Sequence, residues 1–351
     1  MHQGHGVQLE GLGWGLMRGI QVGILIVVTA LLAACARIEL APHLQPLSKE
    51  AMMLLGRKGM RPDQPIFVRI FKEESELEVW KQRDDGRFYH FKTYPICHWS
   101  GDLGPKTKRG DKQAPEGFYR VTRHQMNPNS DFHLAFNLGY PNAFDRAHGR
   151  TGEFLMVHGK CKSAGCYAMT DELIEEIYAL AREAFIGGQE VFEVHAYPFR
   201  MTDEKMALHR NSPHYEFWQT LKEGYDHFEL TRVPPSIAVC ERRYLVNATF
   251  RSPIIPAKLD ANGYCPPYEK LAPEPFVPNG DQQIAEERVV APGPKKRTLA
   301  SISNGSASVI TTAAITTAEA APAPSQSASQ AAASPIVSGW RSVSRALGLA
   351  Q

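Results

Sequence analysis

Two residues suited to nucleophilic catalysis, His158 and Cys166, stand eight positions apart in Val157-His158-Gly159-Lys160-Cys161-Lys162-Ser163-Ala164-Gly165-Cys166-Tyr167. A cysteine attacks a carbonyl only as its thiolate, and an imidazole within hydrogen-bond reach or the positive end of a helix lowers the thiol pKa toward neutrality. Both aids are expected here, because the stretch reads strand, then loop, then helix. Gly165 permits a sharp turn that aims backbone N–H groups near Gly165, Cys166 and Tyr167 at a developing oxyanion. Ser163 suits a hydrogen bond within that loop or an ordinary turn or cap. The rival chemistry is a metal site made of His158, Cys161 and Cys166. It lacks the paired C-x2-C spacing and a fourth ligand, so no metal and no organic cofactor is expected.

These side chains need elements to hold them. Phe154-Leu155-Met156-Val157 is an apolar run that delivers His158 at a strand end, and Thr170 is an N-cap type residue ahead of early acids and apolar residues at helical spacing to about residue 186. Strands are expected at Ile66–Phe71, Glu76–Trp80, Phe88–Phe91, Gly117–Thr122 and Phe132–Phe136, with a hairpin turn at Arg83-Asp84-Asp85-Gly86-Arg87. A second helix is expected at about 202 to 209. Short strands relieved by a few helices predict a mixed α/β domain, mainly β, around a curved sheet.

The motifs resemble the YkuD-type L,D-transpeptidases, cell-wall enzymes with a cysteine nucleophile, and among them the YafK-like branch. The family pattern of a strand-end His-Gly, a variable loop and Ser-x-Gly-Cys is matched by His158-Gly159 and Ser163-Ala164-Gly165-Cys166, and the branch's short loop with an additional cysteine by Cys161. Over about residues 64 to 235 the resemblance includes Pro95-Ile96-Cys97, Leu103-Gly104-Pro105-Lys106, Ala114-Pro115-Glu116-Gly117, Asn137-Leu138-Gly139-Tyr140-Pro141-Asn142 and Gly149-Arg150-Thr151-Gly152. Where the wider family has Arg or Asn soon after the cysteine, this chain has Tyr167-Ala168-Met169. The resemblance implies a β-sandwich-like catalytic domain and acyl transfer on peptidoglycan stem peptides. Cys166 would attack the carbonyl of an L-centre before a D-centre and hold the stem as a thioester, with His158 moving the proton. A diaminopimelate amine as acceptor gives a crosslinking transpeptidase. Water gives a hydrolase that releases a peptidoglycan-linked protein or a neighbouring stem. The non-enzyme alternative, an inactive wall-binding lipoprotein, is at odds with the intact His158 and Cys166. Arg150 is the candidate for holding a stem carboxylate, because guanidinium binds carboxylates bidentately. Tyr140 and Asn142 are candidates for lining the cleft, with turn chemistry as their other reading. His195, His209 and His214 read as ordinary surface or core histidines.

The 351 residues carry a formal net charge of +2, which gives no footprint for nucleic acid. Met17-Arg18 followed by the apolar run Val22 to Ala34 reads as an export signal, and Leu32-Ala33-Ala34-Cys35 has the form of a lipobox in which Cys35 is lipidated. A cleaved signal and an uncleaved anchor are the alternatives. Either way the expected location is periplasmic, in the cell envelope, with the membrane as a partner through the N-terminus. Export to an oxidising compartment leaves four thiols to account for, Cys97, Cys161, Cys240 and Cys265. The sequence allows three pairings of them. Cys97 with Cys161 and Cys240 with Cys265 is one pairing, and a reversible Cys161–Cys166 link is a further possibility. The expected organisation is therefore residues 1–35 as signal or anchor and 64–235 as catalytic domain. Residues 236–272 form an irregular extension, and 273–351 a Pro/Ala/Ser/Thr-rich tail without a core.

Overall fold

The computed structural model describes residues 23, 40–251, 258–277 and 288–293. The expected export signal, Cys35 and nearly all of the low-complexity tail lie outside the described residues.

Two five-stranded sheets carry the domain. The first contains β1 (Ile66–Phe71), β2 (Glu76–Gln82), β3 (Phe88–Pro95), β5 (Gly117–Thr122) and β10 (Val191–Tyr197), in the order β3-β2-β1-β10-β5. The second contains β4 (His98–Trp99), β6 (Met126–Ser130), β7 (His133–Asn137), β8 (Met156–His158) and β9 (Tyr167–Ala168), in the order β4-β9-β8-β7-β6. Pairing is antiparallel except for β1 with β10 and β8 with β9. Mainly β with a few helices is therefore what the chain forms, as its patterning predicts.

The first sheet is covered on both faces, which is why β1 reads as a continuous run, Ile-Phe-Val-Arg-Ile-Phe, with every residue buried. On one face Val68, Ile70, Val79 and Val194 share a core with Phe136 and Val157 of the second sheet. The same core takes in Leu173, Ile174 and Ile177 of α3 (Asp171–Ile186), and Leu54 and Leu55 of α1 (Lys49–Arg57). On the other face Phe71, Phe118 and Tyr197 pack on α4 (Asp203–Leu208) and α5 (Tyr215–Thr231) through Met206, Trp218, Leu221 and Tyr225. The one charge inside β1, Arg69, is fully buried and bridges Glu78 at 2.7 Å and Glu229 at 2.6 Å, as a buried guanidinium must.

Three findings depart from expectation. The seventeen-residue α5 lies in a stretch where the sequence predicts no element, because its aromatic residues and Gly224 mask the period; Gly224 is where Phe118 approaches, within 2.6 Å of where a Cβ would stand. The extension is more regular than an irregular segment: β11 (Ile237–Cys240) pairs with β12 (Arg243–Val246), and β13 (Ala248–Phe250) with β14 (Tyr268–Lys270). The start of the expected tail is docked. Phe276 N–H donates to Leu230 O at 2.7 Å and its ring meets Tyr89 at 5.6 Å. Thr93, on the edge strand β3, pairs in parallel with Val290, and Ala291 is buried. An uncovered edge strand is a ready acceptor for such a segment.

Candidate active site

The parallel register Val157↔Tyr167 and His158↔Ala168 sets Cys166 beside Met156, whose N–H donates to Cys166 Sγ at 3.4 Å. Successive residues of a strand alternate faces, so Met156 and His158 share one, and Cys166 lies one same-face step from His158, about 6–7 Å along the strand. The thiol is half-buried, uncombined, and faces Phe154 O at 3.6 Å. Ser163 closes the turn ahead of it, its Oγ accepting Cys166 N–H at 2.8 Å and donating to Cys166 O at 2.6 Å. Cys166 N–H is thereby engaged. Gly165 is a buried residue, and its N–H has no acceptor among the described residues. Gly165 adopts φ +123°, a conformation that side chains avoid, although a Cβ would have room.

His158 is buried under the ring of Phe132, with centroids 4.6 Å apart. Its Nδ1 lies 2.7 Å from Gly159 O. A carbonyl only accepts, so Nδ1 carries the hydrogen and Nε2 is left as the base in the neutral ring. Burial lowers the His158 pKa, against the help of Gly159 O, and burial raises that of Cys166, against Met156 N–H and the charge of Lys106. Without substrate the two are therefore a neutral imidazole and a neutral thiol.

The expected aid from a helix N-terminus is not realised. Tyr167 and Ala168 form β9, paired on both sides, so α3 starts only at Asp171. Its first turn is already occupied: Thr170 Oγ1 accepts Leu173 N–H at 3.4 Å, and Asp171 Oδ1 accepts Lys160 N–H at 2.8 Å.

The loop between His158 and Cys166 is held at several points. Gly159 N–H reaches Phe132 O at 3.0 Å, and a Cβ on Gly159 would lie 2.9 Å from that same oxygen, so only glycine fits. Lys160 and Cys161 both have left-handed backbones, φ +62° and +51°. A disulfide from Cys161 to Cys97, with Cα atoms 5.2 Å apart, ties this loop to the segment leading into β4. Cys240 and Cys265 form the second disulfide and join the end of β11 to the segment leading into β14.

Cys166 opens into a cleft of about 280 Å³ whose wall includes Lys106, Arg109, Lys112, Glu153 and Phe154. Lys106 is buried, paired with Asp111, and donates to Lys108 O at 3.0 Å. Burial would raise the Asp111 carboxyl, but Lys106 and the N–H groups of Thr107, Lys108 and Gln113 hold it down at about 2. The segment carrying this wall is fastened from below by the buried ammonium of Lys72. It donates to Asp102 O, Gly104 O and Ala114 O at 2.7 to 3.1 Å and pairs with Glu116 at 2.9 Å.

The other sequence candidates lie elsewhere. Arg150 does not line this cleft. It bridges Asp145 at 2.8 Å and lies over the rings of Phe144 and Phe217 at 5.0 and 4.8 Å, with its side chain 9% exposed, so its fork is not open to a ligand. Asn142 caps α2 (Ala143–Ala147) by accepting Asp145 N–H at 2.9 Å, the capping box that Asn142-x-x-Asp145 spells. Tyr140 is buried and donates to Lys106 O at 3.2 Å, which makes it a support of the wall rather than its surface. Asn137 holds a turn through Gly139 N–H at 2.8 Å. His195 is fully buried against Glu193 at 2.9 Å, and His209 stacks on Phe199 at 4.3 Å. The wall's cations escaped the sequence reading, although Lys106-x-Lys108-Arg109-x-x-Lys112 is a visible basic run. Among the described residues no cluster of three or more His, Cys, Asp or Glu could hold a metal.

The fold sets a strand-end His-Gly beside a glycine-turned free cysteine that leads into the neighbouring strand, and residues 66–191, which contain both, match the model of the YkuD L,D-transpeptidase catalytic domain. The chain belongs to this family, whose members act on peptidoglycan. It is 43% identical over 218 residues to an Escherichia coli (strain K12) protein named "Putative L,D-transpeptidase YafK", covering 62% of this chain and 85% of that one. Among solved structures, the helical cell shape determining protein Pgp2 from Campylobacter jejuni is 23% identical at a TM-score of 0.30, over 44% of this chain and 55% of that one. Bdellovibrio bacteriovorus Bd1075 is 20% identical at a TM-score of 0.28, over 53% and 60%. No helix among the described residues is long and apolar enough to cross a membrane.

Proposed function

We propose that the chain is a cysteine acyltransferase of the cell envelope that opens peptidoglycan stem peptides through a thioester on Cys166. The observation that carries this reading is the β8–β9 register, which sets the free Cys166 thiol, at the wall of its cleft, one same-face step from the buried His158.

With both groups neutral at rest, the reaction begins by proton transfer. As Sγ attacks the carbonyl carbon of the L-centre, its proton passes to His158 Nε2, and Gly159 O stabilises the imidazolium through Nδ1–H. Gly165 N–H, which has no acceptor among the described residues, supplies a donor to the oxyanion, and the charge of Lys106 favours the anionic states of the site. Collapse of the tetrahedral intermediate breaks the C–N bond, and His158 returns the proton to the leaving amine. Water or an amine then attacks the thioester, giving its proton to His158, and Cys166 is released. Ser163 keeps the nucleophile's backbone in place. Lipidation of Cys35 would keep this chemistry at a membrane facing the wall.

Mass spectrometry of products from purified sacculi tests the reading. Shortened or newly crosslinked stems that appear with the protein and not with Cys166→Ala support it, and the product also separates hydrolysis from transpeptidation. Sacculi left unchanged by the intact protein overturn it.

A further inference from the structure

The cleft wall beside Cys166 carries three cations, Lys106, Arg109 and Lys112, against one carboxylate, Glu153. The three are not equivalent. Lys106 is buried and committed to Asp111, so it cannot turn to a ligand. Arg109 pairs with Glu153, but both side chains are open to water, 73% and 49% exposed. An ion pair of that exposure contributes little, and a better-placed anion exchanges with it readily. Lys112 is exposed and its ammonium has no partner among the described residues.

The backbone beneath these side chains is firm. Asp111 gathers Lys106 and the N–H groups of Thr107, Lys108 and Gln113 into one knot. Arg109 N–H donates to Thr151 Oγ1 at 3.1 Å, and Thr151 N–H donates to Thr107 O at 3.1 Å. Lys112 O accepts from Ser100 Oγ at 2.7 Å. Two available cations therefore stand on a pre-organised loop at the mouth of the nucleophile's cleft, an arrangement suited to a carboxylate.

We propose that Arg109 and Lys112 form the subsite that reads the carboxylate on the leaving side of the scissile bond, and that Glu153 is the exchangeable counter-charge that occupies Arg109 until that carboxylate arrives. The inference rests on the acyl-transfer reading of Cys166 and names the group that the substrate must present. Arg150, locked on Asp145, has no part in it. A peptide whose terminal D-residue has a free carboxylate displaces Glu153, pairs with the Arg109 fork and is held with its last amide bond toward Sγ. Its C-terminal amide finds no such partner and meets Glu153 still in place.

Binding to the full chain bearing Cys166→Ala separates this subsite from the chemistry. The probes are a synthetic stem tetrapeptide ending in a free D-carboxylate and the same peptide as its C-terminal amide, followed by calorimetry. The acid should bind on the order of tenfold more tightly than the amide, with the preference shrinking as salt is raised. Adding Arg109→Ala and Lys112→Ala should bring the acid down to the affinity of the amide and leave the amide unchanged. Arg109→Lys should restore part of the preference, and Glu153→Gln should strengthen acid binding a few-fold. Equal affinity for acid and amide, binding of neither peptide at millimolar concentration, or a preference that survives the double substitution overturns the proposal. A persistent acid preference with no turnover of either peptide by the chain with Cys166 intact would leave the subsite standing and remove the acyl-transfer reading instead.

Discussion

Cys166 and His158 are a pair whose environments push them away from charge: burial raises the thiol and lowers the imidazole. A base of this kind works when neutral, so the acidic limb of kcat/KM against pH is expected below the ordinary imidazole pKa, with full activity already at neutral pH. His158→Ala should remove that limb and lower the rate about a hundredfold or more. Iodoacetamide should alkylate resting Cys166 with an apparent pKa above the ordinary thiol value. A resting thiolate at neutral pH would contradict the neutral pair. Cys166→Ala should abolish turnover with the fold intact by circular dichroism, whereas Ser163→Ala, which removes two hydrogen bonds around the nucleophile, should lower kcat about tenfold and cost about 1–2 kcal/mol in denaturant unfolding.

At the scale of elements, the catalytic loop is held in shape by what its backbone touches. Gly159 has Phe132 O, Asp171 Oδ1 and His133 Cβ all within 3.1 Å of where a Cβ would be, so Gly159→Ala must push β8 from β7 or the loop from α3. The expected outcome is a loss of about 2 kcal/mol or more in denaturant unfolding, together with loss of activity. The Cys97–Cys161 bridge stabilises the same loop across 64 residues of sequence. Cys97→Ser should loosen the left-handed turn at Lys160 and Cys161 and lower kcat more than it changes KM, measured on soluble stem peptides. On the cleft wall, Asp111 is held near 2, below its ordinary carboxyl value of 3.8, so its contribution to stability is complete above that value and lost as pH falls toward 2. Asp111→Asn should remove this part of the acid sensitivity in unfolding against pH.

For the molecule as a whole, the boundary of the folded unit is the testable point. On composition the tail would begin at 273 and be dispensable. In the fold, Phe276 packs on Tyr89, Arg288 pairs with Glu78, which also bonds the buried Arg69, and residues 289–291 run along the edge of β3. A chain ending at residue 272 should therefore lose about 2 kcal/mol and melt several degrees lower, by calorimetry, than one ending at residue 296. Equal melting temperatures for the two would show that the docked segment contributes nothing.

Much of the site is legible along the chain because the residues concerned are near neighbours. His158-Gly159 and Ser163-x-Gly165-Cys166 lie within nine positions, and their chemistry follows from residue type, a strand end and a glycine turn. Strands β1, β2, β3, β5 and β7 are readable from apolar runs or alternation, and α3 from its cap and period, because each is a local pattern imposed by burial. Which partners meet across the fold is another matter. The strand β9 between Cys166 and α3 removes the helix dipole from the thiol, and only the pairing of two residues with β4 and β8 creates that strand. Arg150 looks like a free guanidinium in sequence and is closed by the packing of Phe144 and Phe217. The wall of Lys106, Arg109 and Lys112 reaches Cys166 across more than fifty residues. It does so because Lys72 and Glu116, buried where no water can satisfy them, draw that loop onto the first sheet. Local spacing specifies which groups can react. Long-range satisfaction of buried charge and backbone decides what surrounds them, and no local pattern encodes it.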